Sequence, residues 1–147
     1  MAGEPDDVDT MVESEVPSRH RWLAGLLGAG PGDRVADLGC GTGGTLAQAA
    51  PAVPGGLVAG LDLSAGALAR TAELVAEAVA GQHRPPGVLL VQADLKDPLP
   101  LATAGFDRVL CHNVLEVLPD HDALVAEAVR VLRPAGGWCW PTATSTP

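Results

Sequence analysis

Short apolar runs alternate with helix-period segments along this chain. DRVADLGC, at residues 33–40, is apolar through its middle and bounded by turn residues, as a buried strand should be. GLVAGLDL, GVLLVQAD and FDRVLCHN repeat that pattern at 56–63, 87–94 and 106–113. RHRWLAGLLGAG predicts an opening helix that the Gly30-Pro31-Gly32 cluster ends. GTLAQAA begins a helix that Pro51 and Pro54 stop. Residues 64–80 are rich in Ala, Leu and Glu and lack Pro; they predict a helix with Leu68, Ala72, Val75 and Val79 on one face. DALVAEAVRVL predicts another, with Leu124, Val125, Ala128, Val129 and Leu132 together. This alternation argues for a parallel sheet covered by helices. Ligands of such sheets gather at the carboxyl ends of the strands, so the chemistry is expected just after Leu38, Leu61, Ala93 and Leu110.

Composition narrows the class. With 147 residues the chain is one domain, and with 47% apolar but only 3% aromatic residues its core must be Val, Leu and Ala. A net charge of −9 excludes a nucleic-acid footprint, which needs clustered Lys and Arg. Residues 1–16 hold six acidic and no basic side chains, so 1–17 reads as a disordered acidic lead-in, without the basic start and apolar run of a signal peptide. No apolar stretch approaches the roughly 18 residues of a membrane span. Cys40, Cys111 and Cys139 show neither metal-ligand spacing nor an even framework, so no metal and a reducing cytoplasmic compartment are expected.

Polar residues cluster where the strands end. In DLGCGTGG, glycines at 39, 41 and 43 let the backbone turn tightly and approach a ligand. Gly39, Gly41 and Gly44 also satisfy the dinucleotide spacing, and Asp62 follows the first of them by 23 residues, where a ribose-binding acid belongs. Asp37 separates the readings, because a carboxylate at that point repels a pyrophosphate and suits a cation. Asp94, at the third strand end, can accept from an exocyclic amine such as that of adenine. Three carboxylates at three strand ends suit an ammonium, a ribose and an adenine without phosphate, which describes S-adenosylmethionine. The alternatives for single residues are plain: Asp62 as a helix-start acid, Asp94 as a turn residue, Cys40 as a small buried thiol.

The segments VADLGCGTGGTL, GLDLSAGALARTAE, VQADLKDPLP, FDRVLCHNVLEVLPD and EAVRVLRP, from about Pro31 to Pro134, resemble the class I S-adenosylmethionine-dependent methyltransferase domain of the methyltransferase-11 type. The resemblance implies a Rossmann-like α/β fold, a parallel sheet of order 3-2-1-4-5 with helices on both faces. It implies that Asp37 and the backbone of Gly39, Gly41 and Gly43 hold the methionine part of the cofactor. Asp62 would bind the ribose hydroxyls with Leu63 against the adenine, Asp94 and Leu95 would frame the adenine, and Asn113 would face the amino-acid end. His112, near the expected transfer point, is the candidate general base; the alternative is a histidine hydrogen-bonded within its loop. Glu116 reads as a cap or solvent-facing residue. His20, His83 and His121 fall in segments read as surface and receive no role.

The implied activity is methyl transfer to a small-molecule nucleophile, with no nucleic acid or membrane partner. Two rivals stand beside it: a cofactor-binding remnant without activity, and an NAD-dependent oxidoreductase, against which Asp37 and Asp94 argue. The domain is expected to span 18–134, with an aberrant tail at 135–147. The family pattern VLRPGG becomes VLRPAGGWCWP, and one base lost at the Pro134 codon would restore both the glycine register and an apolar strand. The alternative is a true short protein with a Pro/Thr tail. On the first view the C-terminal strands are missing, at most a stub of strand five remains, and self-association through an exposed sheet edge is expected.

Overall fold

Val35, Ala36, Leu38, Val58, Ala59 and Leu61 are fully buried, which places two strands at the centre of the molecule. A computed structural model of the chain describes residues 18–112, 114 and 118–139. Those central strands are β1 (Arg34–Leu38) and β2 (Leu57–Asp62), and they pair in parallel. β3 (Gly87–Gln92) adds to β2, and β4 (Phe106–Cys111) adds to β1. β5 (Leu132–Cys139) adds to β4, giving the parallel order β3-β2-β1-β4-β5 that the resemblance implies. The fold is the expected Rossmann-like one.

Helices cover both faces. A helix over 18–27 (α1), α2 (Gly44–Ala49) and α3 (Ala65–Ala78) cover one, where Leu27, Leu46, Leu68 and Val75 pack on Val35, Val58 and Leu110. α4 (His121–Val131) covers the other, where Leu124, Ala128 and Val131 pack on Ala36, Leu38, Leu61 and Val109. The period-2 alternation of the strands sends Val35 and Ala36 to opposite faces. No described helix is long and apolar enough to cross a membrane.

Three expectations change. The buried stripe of α3 is Leu68, Thr71 and Val75, whereas Ala72 is exposed. Thr71 tolerates burial because its hydroxyl can donate to either the Gly41 or the Ala67 carbonyl, both within reach. On α4, Val129 is 62% exposed, Val125 is only half-buried, and Leu132 has already left the helix for β5. Strand five is also more than a stub. It starts with Leu132 opposite Phe106 and ends with Cys139 opposite Leu110, with an irregularity between. There β4 advances two residues, Phe106 to Arg108, while β5 advances five, Leu132 to Gly137. The apparently inserted Ala135 falls within this irregular stretch, as does Pro134, which the interior of a regular ladder would reject.

Candidate functional site

The glycine turn after β1 is held in place by its neighbours. Gly39 and Cys40 donate their backbone N–H groups to the Leu61 carbonyl, at 2.8 and 2.9 Å, tying the turn to the end of β2. Gly41 N–H donates to one Asp62 carboxylate oxygen at 2.9 Å, and Ser64 N–H donates to the other at 2.9 Å. Asp62 therefore links the turn to the start of α3. Gly39 and Gly43 take φ of 82° and 87°, a region that strains any residue with a Cβ. Beside Gly39 stands the Val114 side chain, and beside Gly43 stands Thr71, so neither position has room for one.

Above this turn lies a cavity of about 480 Å³, open to solvent. Of the residues singled out in the sequence, Asp37, Gly39, Cys40, Gly41, Gly44, Asp62, Leu63, Asp94, Leu95 and His112 line it. Gly43 is buried behind the turn and is not among the lining residues; its carbonyl accepts from Ala47 N–H at 2.9 Å. Asn113 and Glu116 lie outside the described residues.

Each carboxylate has a distinct setting. Asp37 is almost fully buried; burial first, then the nearby negative charge of Asp62, raise its pKa to about 7. A carboxyl poised near neutrality gains most from a cation. Asp62 spends one lone pair on each of two backbone donors, and a carboxylate offers about four such sites. Acceptor capacity for a diol therefore remains. Asp94 accepts from Lys96 N–H at 2.9 Å and has Lys96 Nζ at 3.6 Å, so it is a turn residue as well as a wall of the cavity. Leu63 is 64% exposed, an apolar surface beside Asp62 that a flat ring could cover.

Cys40 and Cys111 are buried thiols whose setting disfavours the nucleophilic thiolate. Burial, followed by the charge of Asp37, pushes the Cys40 and Cys111 thiols up to about 11 and about 12. Among the described residues no group of three or more His, Cys, Asp or Glu could hold a metal.

The structure also brings in residues that sequence reasoning set aside. His20, read as surface, is half-buried and lines the cavity, with its Nδ1 2.7 Å from the hydroxyl of Thr45. Burial, with the charge of Arg19, holds its pKa below the usual histidine value. The signal was present: His20, Leu23 and Leu27 share one face of α1 at helical spacing, and both leucines are buried. Thr71, which braces the turn from α3, was missed because a buried threonine looks polar in any hydropathy pattern.

The model of the methyltransferase domain family matches residues 35–136. Trans-aconitate 2-methyltransferase of Deinococcus radiodurans is 36% identical over 116 residues, covering 79% of this chain and 40% of that protein. A ubiquinone biosynthesis O-methyltransferase of Paracidovorax citrulli is 35% identical over 122 residues, covering 83% of this chain and 48% of that protein. A solved geranyl diphosphate methyltransferase, in complex with GPP and sinefungin, superposes with a TM-score of 0.67 at 25% identity, over 82% of this chain and 43% of that one. An α/β sheet with an acid-flanked glycine turn defines the class, and the chain belongs to the methyltransferase domain family, class I and S-adenosylmethionine-dependent. It spans less than half the length of the two curated relatives.

Proposed function

We propose that this domain binds S-adenosylmethionine at the carboxyl ends of β1, β2 and β3 and serves methyl transfer to a small-molecule nucleophile. The observation that carries the reading is the buried Asp37 under the glycine turn, in one cavity with Asp62 and Asp94. Asp37 suits the ligand's ammonium, Asp62 its ribose hydroxyls, and Asp94 with Leu63 and Leu95 its adenine. When bound, the sulfonium supplies an electrophilic methyl group, so the cofactor carries the hard chemistry. The chain's own residues bind and orient, and alignment of the acceptor is the protein's main contribution to rate.

His112, on the cavity wall past β4, is the candidate to take a proton from an acceptor. A small acceptor is supported by the relatives, whose names specify trans-aconitate, a ubiquinone-pathway step and geranyl diphosphate. Sinefungin in the last of these, an S-adenosylmethionine analogue, supports the cofactor. The dinucleotide alternative meets Asp37, whose carboxylate would oppose a pyrophosphate at this turn. Isothermal titration with S-adenosylhomocysteine and with NAD tests the reading. S-adenosylhomocysteine is expected to bind and NAD to give no heat; tighter binding of NAD would overturn it.

A further inference from the structure

We propose that His20 is a positioning residue for the methyl donor, holding the carboxylate of its amino-acid end while Asp37 takes the ammonium. This rests on the cofactor reading above and adds to it a residue from outside the strand ends. His20 lies on α1, ahead of the sheet, yet its ring lines the same cavity as Asp37 and the turn at Gly41–Thr42. The ring is seated against Gly44 so closely that a Cβ there would stand 2.5 Å from both Cδ2 and Nε2. Its Nδ1 is engaged by the buried Thr45 hydroxyl at 2.7 Å, which leaves Nε2 for a ligand. In the tautomer that suits a carboxylate, Thr45 donates to Nδ1 and the ring proton sits on Nε2, which makes Nε2–H a donor.

The ligand's two charged ends need opposite partners. Three acidic side chains, Asp37, Asp62 and Asp94, line the cavity, and each repels a carboxylate. His20 belongs to the turn end of that wall and carries a donor rather than a negative charge, with the Arg19 guanidinium next to it in the chain. An α-amino acid group set between Asp37 and His20 meets complementary chemistry at both ends.

The test is a ligand-truncation series by isothermal titration on the 147-residue chain, using S-adenosylhomocysteine, its decarboxylated analogue, and 5′-methylthioadenosine, which lacks the amino-acid end. His20→Ala is expected to weaken S-adenosylhomocysteine by about tenfold, the scale of one hydrogen bond to a charged group. The same variant should bind the other two ligands as the unmutated chain does, which also shows that it is folded. His20→Gln, which restores an N–H donor, should recover part of the loss. An equal loss for all three ligands, or no loss for any, would overturn the assignment of His20 alone. Failure of the unmutated chain to bind S-adenosylhomocysteine would instead overturn the cofactor reading, and this inference with it.

Discussion

Replacing Asp37 by Asn should strengthen the ligand-free fold and weaken the site. The folded pKa of Asp37 is about 7 against an ordinary value of 3.8, because the carboxyl is buried and faces the charge of Asp62. Between those values the native state holds the extra proton, so the contribution of Asp37 to stability is highest below pH 4, falls as pH rises, and levels off above about 7. At about 1.4 kcal/mol per unit, ionising Asp37 costs the free fold on the order of 4 kcal/mol. Asparagine does not titrate. The Asp37→Asn variant should therefore be more stable than the parent at pH 8 by about 2–4 kcal/mol, with the difference vanishing near pH 4. Cys40 and Cys111, at about 11 and about 12, stay protonated across this window, and His20 is common to both proteins.

Binding should respond with the opposite sign. A ligand ammonium favours ionised Asp37, so S-adenosylhomocysteine affinity in the parent should rise about tenfold from pH 6 to pH 8, with proton release at pH 6. In the variant the affinity should be weaker at pH 8, and this rise should be absent. Urea unfolding across pH 4–8 and titration calorimetry in buffers of different ionisation enthalpy read both effects. A variant less stable than the parent at pH 8, or a pH-independent affinity in the parent, would refute the reasoning.

Asp62→Ala should weaken S-adenosylhomocysteine by roughly 2–4 kcal/mol, since hydrogen bonds to a charged group are each worth about 1.5–3 kcal/mol; unchanged affinity in a folded variant would remove Asp62 from the site. Gly43→Ala places a Cβ at positive φ and 2.6 Å from the Thr71 side chain, and should cost roughly 2–4 kcal/mol of stability in urea unfolding; an unchanged midpoint would mean that α3 yields easily. Among the described residues β5 forms one edge of the sheet, and we expect the chain to self-associate through it. Sedimentation velocity showing only monomer at high micromolar concentration would contradict that.

The strand ends were legible because a parallel sheet puts the residue after each buried run at the same edge. That logic located Asp37, Asp62 and Asp94 in one cavity from their positions alone. It does not reach His20, which lies on α1 ahead of the sheet and shows itself only by sharing a face with Leu23 and Leu27; its partner Thr45 is 25 residues away. Nor could it find Thr71, whose burial depends on the Gly41 carbonyl 30 residues earlier. Hydropathy separates core from solvent, but it does not see a polar group satisfied at long range. β5 was obscured for another reason: its surplus residues break the period that marks a strand.

The same two residues explain why the glycine spacing allowed two readings. Thr71 presses on the turn from α3 and occupies the space of a side chain at Gly43. His20 presses from α1 and occupies that of Gly44. Gly39 and Gly41 face the cavity, and Gly41 gives its N–H to Asp62. Gly39, Gly41 and Gly44 all line the cavity, and Gly39, Gly43 and Gly44 each lack room for a Cβ. The third member of the dinucleotide spacing, Gly44, is required by a histidine ring rather than by a pyrophosphate. A spacing match alone could not distinguish these causes, because packing and phosphate approach both demand the absence of a Cβ. The carboxylate of Asp37 distinguishes them, since in its ionised form it suits a cation and opposes a pyrophosphate.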